Sequence, residues 1–332
     1  MISKTFGSIS PIFLEGYNCV DNAMASIMNV IYEDICISYV DAWRFDYIPA
    51  FDSNRKINDR LGLDNLVSYK KDSYARYYGF NVDYKTVIDD EFDELLLEGI
   101  PVPIIIDEYY CPWKEFFQKQ HYEHCFTVTN KENGQYIGID SIPVVDNVRI
   151  GSDLFNKGYI GHIVFCCEPQ LEKNININQM LKNHISCFTD DGKIVVGDML
   201  RAFSREVLNK NVFREECLSA GSIYRAPFLT EIGHLCGGRK LFLELINRIS
   251  DVHPYNSYKK LTSHFNELVG LWNLVKVLVF KSYVDIESQD VVSMIFEYLN
   301  CIAEKEETIC RYIAEEDFIG TIPMPLNKWR SL

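Results

Sequence analysis

The sequence lacks several features that would assign it to a particular class of protein. No apolar run approaches the ~18 residues that a membrane-spanning helix needs, and the first residues lack the basic-then-apolar pattern of a secretory signal. No Cys-x-x-Cys pair occurs, and eleven irregularly spaced cysteines do not suit a disulfide framework. We therefore expect a cytoplasmic chain without membrane association, in which a free thiol survives.

Positive charge is also scarce, with 33 Lys and Arg against 47 Asp and Glu and a formal net charge of −14. Such a surface repels nucleic-acid phosphates, so we expect no nucleic-acid partner, and it favours cationic small molecules. The sequence contains no P-loop and no Gly-x-Gly-x-x-Gly. His121-x-x-His124 lacks further ligands at zinc-like spacing. We therefore predict neither a cofactor nor a metal site.

The hydrophobic periodicity divides the chain into two predicted domains, residues 1–172 and 173–332. The first domain mixes helical patterns at 22–37 and 89–97 with strand patterns at 102–106, 125–129, 136–139 and 161–167. In the second domain helical patterns dominate, at 199–208, 239–248, 258–280 and 290–315, with Gly237-Gly238 read as a loop. The predicted class is α+β, with a mixed domain followed by a mainly α-helical domain.

Cys19 follows a glycine-containing loop, Gly16-Tyr17-Asn18, and directly precedes a helical pattern. The backbone amides at a helix N-terminus favour a thiolate and can also donate hydrogen bonds to an oxyanion. This position makes Cys19 a candidate nucleophile. A single cysteine before a helix is weak evidence by itself, and an ordinary half-buried thiol remains the alternative.

His124 and Asp140 flank a predicted β-hairpin whose turn contains Asn133-Gly134. Because the hairpin is centred near residue 132, the start of the first strand and the end of the second are expected to lie opposite each other. A carboxylate at that position accepts a hydrogen bond from the imidazole and fixes its tautomer. The alternative is a surface histidine and a turn aspartate with no common role.

Four pieces of the sequence, in this order, resemble the N-terminal domain of the butirosin biosynthesis protein H family. They are Asn18-Cys19, the segment 99–112 with its Asp-x-Tyr-Tyr-x-Pro-like end, His121-x-x-His124 with its apolar strand, and Asp140. The resemblance covers about residues 10 to 165. It implies that the first domain has a papain-like cysteine-enzyme fold.

The resemblance also implies an activity: transfer of an acyl group from the phosphopantetheine thioester of an acyl carrier protein to an amine of an aminoglycoside-like acceptor. Cys19 would attack the thioester, His124 would move the proton and Asp140 would orient His124. The residues implied in substrate binding are Asn18, Asp107, Tyr109, Tyr110 and His121.

The sequence departs from the family pattern at two positions. Residues 11–18 contain no Gln to donate to the oxyanion, so the Asn18 side chain or the Cys19 amide would have to do so. Ser141 follows Asp140, where relatives often carry Pro.

Two other functions remain open at this point. One is a cysteine peptidase or amide hydrolase of the same fold, which differs only in using water to resolve the acyl-enzyme. The other is a non-catalytic binding module that keeps the papain-like shape, in which Cys19 would react like an ordinary thiol. Arginines of the second domain could contact a carrier-protein phosphate or lie scattered on the surface; they are Arg201, Arg205, Arg214, Arg225 and Arg239.

Overall fold

The computed structural model describes residues 8–32, 34–49, 57, 60–61, 73–167, 174–209, 226–285 and 288–325. The described residues within Met1–Ile35, Leu66–Lys173 and Met324–Leu332 form one compact unit. Those within Cys36–Asn65 and Asn174–Pro323 form a second unit. The predicted domain boundary between residues 172 and 173 lies outside the described residues.

The first unit is built on a six-stranded antiparallel sheet with the strand order β1-β6-β2-β3-β4-β5. Its strands are β1 (Phe80–Lys85), β2 (Val102–Asp107), β3 (Glu123–Glu132), β4 (Gln135–Ser141), β5 (Val144–Gly151) and β6 (Tyr159–Cys167). Its α-helices are α1 (Cys19–Ile31), α2 (Asp90–Leu97) and α3 (Ser152–Gly158). A π-helix spans Tyr74–Tyr78 and a 3-10 helix spans Glu108–Tyr110.

Alternate residues of β2 and β3 pack into two different apolar clusters, as the two-residue period of a strand requires. Ile105 and Cys125 pack against Ala23 of α1. Their neighbours Ile104 and Phe126 belong to a larger cluster that also contains Phe92 and Phe155, from α2 and α3. The central strands are therefore buried on both faces, and their register is fixed by packing.

Two predicted elements differ in detail from the structure. The predicted helix 22–37 begins earlier, at Cys19, and ends at Ile31, because Tyr32 takes an extended conformation and its hydroxyl donates to the buried carbonyl of Tyr78. Pro103, a residue type usually confined to sheet edges and strand starts, lies in β2 between two neighbouring strands. It is tolerated because the pairing of β2 with β6 starts only at Ile104.

The second unit is mainly α-helical, as predicted for that part of the chain. Its α-helices are α4 (Ile177–Ile185), α5 (Val196–Leu208), α6 (Pro227–Val252), α7 (Asn256–Val284) and α8 (Gln289–Glu315). Short strands β7 (Asn174–Asn176) and β10 (Thr321–Pro323) pair with each other, as do β8 (Thr189–Asp190) and β9 (Lys193–Ile194). 3-10 helices span Cys36–Ala42 and Ser186–Phe188. Among the described residues, no helix is both long enough and apolar enough to cross a membrane.

Residues 36–49, which the sequence placed in the first domain, group with the second unit. Trp43 is fully buried there, with its ring 4.9, 5.0 and 4.8 Å from the rings of Phe188, Phe242 and Phe265. Burial of a tryptophan side chain among aromatic rings contributes several kcal/mol. The burial of Trp43 therefore accounts for the grouping of residues 36–49 with the helical unit.

The predicted loop at Gly237-Gly238 is wrong, since both glycines lie inside α6. A Cβ atom at Gly238 would meet the carbonyl oxygen of Ala42 at 2.1 Å. The glycine therefore serves the close approach of α6 to the backbone of the 36–42 helix, and does not mark a turn.

His184 of α4 is buried in the second unit, where its Nε2 donates to the carbonyl of Trp43 at 2.7 Å. Burial lowers its pKa to about 4; the hydrogen bond to Trp43 opposes this effect, and the charges of Arg239 and Arg44 add to it. The folded protein thus binds fewer protons here than the unfolded chain. Because the folded pKa is depressed, stability is present above pH ~6.5 and is lost as the pH falls toward ~4.

We expect the second unit to lose about 3 kcal/mol of stability through His184 between pH 7 and pH 4. The measurement is urea unfolding across this range for the wild type and for His184→Gln, which keeps a donor for Trp43 but does not titrate. The wild type should lose more stability than the variant toward acidic pH. Parallel pH dependences for the two proteins would contradict the prediction.

Candidate active site

The loop before Cys19 is held by the side chain of Asn22, which is fully buried. Its Oδ1 accepts from the amide of Leu14 at 2.6 Å, and its Nδ2 donates to the carbonyl of Tyr17 at 2.9 Å. Asn18 is the N-cap of α1, with its Oδ1 accepting from the amide of Asp21 at 2.8 Å. Cys19 is thus the first helical residue, at the positive end of the helix dipole.

The β3–β4 hairpin brings His124 and Asp140 together, with His124 Nε2 and Asp140 Oδ2 2.8 Å apart. The turn is Asn133-Gly134, both with positive φ, as the type I′ turn requires. The predicted register is wrong by two positions: Thr127 pairs with Ile139, so Asp140 is diagonal to His124 rather than opposite it. Diagonal neighbours remain within reach of long side chains, which is why the contact still forms.

Cys19 interacts with the same imidazole. Burial disfavours the charged ring, but hydrogen bonds and charges from Asp140 and Cys19 outweigh it and raise the pKa of His124 to about 9. Since Nε2 faces Asp140, the second ring nitrogen, Nδ1, is the one left for the thiol. The three predicted catalytic residues are therefore in contact through His124, which interacts with Cys19 and with Asp140.

Asp140 is fully buried and held from several sides. Its Oδ2 accepts from the indole of Trp113 at 2.7 Å, and its Oδ1 accepts from the amide of Ile142 at 2.8 Å. Burial works against the ionised form, but the contacts with His124, Lys114 and Trp113 lower the pKa of Asp140 below its usual value. The carboxylate remains ionised, and its position relative to His124 is fixed.

Replacing Asp140 with Asn should lower the pKa of His124 from about 9 toward its ordinary value of 6.5, because Asp140 supplies the largest of the influences that raise it. Any turnover that depends on the imidazolium should fall roughly 10²-fold or more at neutral pH. The pKa is read from an NMR titration of the His124 ring, assigned by its loss in His124→Gln.

Asp146→Asn is the matched control for this variant, because Asp146 is an exposed carboxylate on the neighbouring strand β5. It should leave the pKa of His124 unchanged. A pKa of His124 near 9 in Asp140→Asn would refute the role of this carboxylate.

Three residues that no sequence motif singles out also belong to the site: Asn22, Trp113 and Lys114. Lys114 is buried, and its Nζ donates to the carbonyl of Ile142 and lies 3.3 Å from Nε2 of His124. Trp113 and Lys114 come from the irregular stretch that follows the 3-10 helix Glu108–Tyr110, where no periodicity points to them. Asn22 carried a signal, since an asparagine near a helix start commonly bonds backbone groups.

Four of the residues implied in substrate binding form a separate cluster. Asp107 Oδ2 and His121 Nδ1 are 2.6 Å apart, and the Tyr109 ring stacks on His121 at 4.3 Å with an interplanar angle of 10°. The Tyr110 ring contacts that of Tyr109 edge-on at 5.1 Å. Asn18 is not part of this cluster, because it caps α1.

Two other thiols of the first unit, Cys111 and Cys125, differ from the candidate nucleophile in being fully buried. Burial raises the pKa of Cys111 and Cys125 well above the ordinary value, so both remain protonated. A protonated buried thiol is a poor nucleophile.

A cavity of about 470 Å³ in the same unit is lined by Leu96, Thr129 and Ile139 among others, and by none of the three catalytic candidates.

The arginines considered as contacts for a carrier-protein phosphate have different surroundings. Arg239 is fully buried against Glu306, so its proposed contact with a carrier-protein phosphate is wrong. Arg201 pairs with Glu307 at 2.9 Å, while Arg214 and Arg225 lie outside the described residues. Within the described part of the chain, no group of three or more His, Cys, Asp and Glu side chains is arranged to hold a metal ion.

Two comparisons with known proteins do not identify a family for this chain. Neither a scan against protein-family models nor a search of curated proteins finds a match for this chain.

Proposed function

We propose that the chain is a cysteine acyltransferase that works through an acyl-enzyme on Cys19. The observation that carries the proposal is the contact of one buried imidazole with both a thiol at a helix N-terminus and an ionised, fully buried carboxylate. These are the three parts that nucleophilic cysteine catalysis needs: nucleophile, proton carrier and orienting group. The mixed unit with its antiparallel sheet is compatible with the papain-like fold implied by the sequence resemblance.

In the first half-reaction, the Cys19 thiolate attacks the carbonyl carbon of a thioester. The backbone amide of Cys19 or the Nδ2 group of Asn18 would donate to the oxyanion, while Oδ1 of Asn18 caps the helix. As the carbon–sulfur bond of the donor breaks, the imidazolium of His124 gives its proton to the leaving thiolate. The products are the acyl-enzyme, the free carrier thiol and a neutral imidazole.

In the second half-reaction, neutral His124 takes a proton from an attacking amine. The new carbon–nitrogen bond forms, the bond to the Cys19 sulfur breaks, and the thiolate–imidazolium pair is restored. The change of His124 from acid to base has a physical cause. Acylation removes the hydrogen bond and negative charge of Cys19, two of the influences that raise the pKa of His124.

Transfer to an amine is favoured over hydrolysis by the negative charge of the chain and by the residue types in the cluster around Asp107 and His121. The net charge of −14 attracts a polycationic acceptor, and the cluster of Asp107, Tyr109, Tyr110 and His121 offers a carboxylate and aromatic faces to a cation. A thioester is reactive enough for amide formation without a nucleotide. We therefore propose an acyl carrier protein as donor, a small cationic amine as acceptor, and membership of the butirosin biosynthesis protein H family.

The proposal is tested by intact-mass measurement of the protein after mixing with an acylated carrier protein. We expect a mass increase equal to the acyl group, followed by its loss and the appearance of an amide when an aminoglycoside is added. Absence of the adduct would refute the acyl-enzyme. Release of free acid at the same rate with and without amine would instead assign the site to a hydrolase of the same fold.

A further inference from the structure

Lys114 is a charged side chain that is almost completely buried beside the candidate site. Only 4% of its side chain is exposed, and its Nζ lies 3.6 Å from Asp140 Oδ2 and 3.9 Å from Glu108 Oε1, both on buried carboxylates. Lysines are almost never buried in this way without a partner. An ammonium group here is paired with two anions and also reaches the imidazole of His124.

The contact with His124 is not an attractive hydrogen bond. Nε2 of His124 donates its proton to Asp140 at 2.8 Å, so this nitrogen has no lone pair with which to accept from Lys114, 3.3 Å away. The ammonium group and the protonated ring therefore repel each other across a buried gap where solvent screens little. This repulsion makes the proton of His124 easier to release.

We propose that Lys114 is a positioning residue that acts through His124 and speeds the step in which an amine resolves the acyl-enzyme, a role that rests on the proposed function. In the thiolate form, Cys19 and Asp140 hold the proton on His124 against the charge of Lys114. Once Cys19 is acylated, only Asp140 still stabilises the protonated ring of His124. The ammonium group of Lys114 opposes this stabilisation. His124 thereby becomes a better base for the attacking amine.

The charged and titratable groups around His124 enter this balance. They are Cys19 of α1, Asp140 of β4, Glu108 and Lys114 from the segment that follows β2, and the neighbours Glu123 and Cys125 on β3. Cys125 remains protonated because it is buried. Glu108 lies 3.9 Å from Nζ of Lys114 and offsets part of its charge, so removing Glu108 should act in the opposite direction to removing Lys114.

The kinetic test compares the two half-reactions in Lys114→Met, which removes the charge but keeps the length of the side chain. At pH 7 the amine-dependent loss of the acyl adduct should slow about tenfold, and the midpoint of its pH dependence should rise by about one unit. Formation of the adduct should change by less than about twofold, because the imidazolium that it uses is still present. Lys114→Arg should restore the wild-type midpoint, since it restores the charge.

Lys119→Met is the matched control, because Lys119 is an exposed lysine of the same segment. Both half-reactions should be unchanged in this variant. Equal slowing of both half-reactions in Lys114→Met, with an unmoved pH midpoint, would overturn the proposal and leave Lys114 with a purely structural role.

An NMR titration of the His124 ring tests the same inference without substrate. The titration midpoint should rise in Lys114→Met and fall in Glu108→Gln. If the single variant does not fold, Lys114→Met with Glu108→Gln removes both buried charges, and its midpoint should still lie above that of the wild type. A midpoint that is unchanged or lower overturns the role of Lys114, whereas failure to form an acyl adduct overturns the proposed function alone.

Discussion

Cys19→Ala is expected to eliminate the acyl adduct and to reduce turnover of a thioester by roughly 10⁴-fold or more. The reason is that no other described thiol near His124 can replace it: burial raises the pKa of Cys111 and Cys125 and keeps them protonated. Cys19→Ser, which keeps the geometry but offers a weaker nucleophile, should also fall to near background. Intact-mass analysis and a thioester assay on the same samples measure both effects.

The reactivity of Cys19 itself separates a catalytic site from an inert scaffold. With iodoacetamide near pH 6, Cys19 should be alkylated faster than Cys301, an exposed thiol of the second unit that serves as an internal control. Peptide mapping at short reaction times gives both rates from one sample. Equal alkylation rates at the two cysteines, or full turnover by Cys19→Ser, would contradict the proposal that Cys19 forms an acyl-enzyme.

The elements that the sequence predicts well are those defined by local patterns. Asn133-Gly134 placed the β3–β4 turn, because two consecutive residues with positive φ need those residue types. The long helices α7 and α8 follow from apolar periodicity. In contrast, Gly238 was misread as a loop residue, because its partner is the carbonyl of Ala42, almost two hundred positions earlier in the chain.

In the candidate site, some residues can be predicted from local sequence patterns, whereas the role of others depends on tertiary contacts. Cys19 was marked by its place before a helix, and the pair His124 and Asp140 by a hairpin whose strands must run side by side. Trp113 and Lys114 could not be found in this way. They lie in a segment without periodicity, and their importance arises only when β4 brings Asp140 against them.

The register of the β3–β4 hairpin differs from the one that its symmetry predicts. Symmetry about residue 132 predicted that His124 and Asp140 are directly opposite, whereas the ladder turns about Asn133-Gly134 and shifts again between Val128 and Asn130. A β-bulge inserts an extra residue into one strand and cannot be read from alternation alone. The side chains meet because a diagonal pair is still within reach.

The second large effect is expected in the core of the helical unit, where Arg239 and Glu306 are both fully buried. Glu306 Oε1 accepts from Nε and Nη2 of Arg239 at 2.9 and 2.8 Å and from Trp272 at 3.2 Å, and its Oε2 accepts from Trp43 at 3.0 Å. Nη1 of Arg239 donates to the carbonyl of Arg44 at 2.6 Å. This network joins the 36–49 segment to α6, α7 and α8.

Arg239→Met should destabilise the protein by roughly 3–5 kcal/mol, because it leaves the carboxylate of Glu306 buried without a compensating charge. The control is Arg201→Met. Arg201 also pairs bidentately with a glutamate, Glu307, but at a partly exposed site where an ion pair contributes about 0–1 kcal/mol. Urea unfolding of both variants gives the two free energies of unfolding.

The double variant Arg239→Met with Glu306→Gln decides whether the loss comes from the stranded charge or from the missing contacts. If the uncompensated carboxylate is the cause, removing its charge should recover a large part of the stability, and the effects of the two single changes will not add. If instead packing and hydrogen bonds of Arg239 carry the energy, the double variant will be at least as unstable as Arg239→Met. We expect recovery, because the indoles of Trp43 and Trp272 remain as donors for a neutral amide at position 306, whereas a buried carboxylate without Arg239 keeps the full cost of its desolvation.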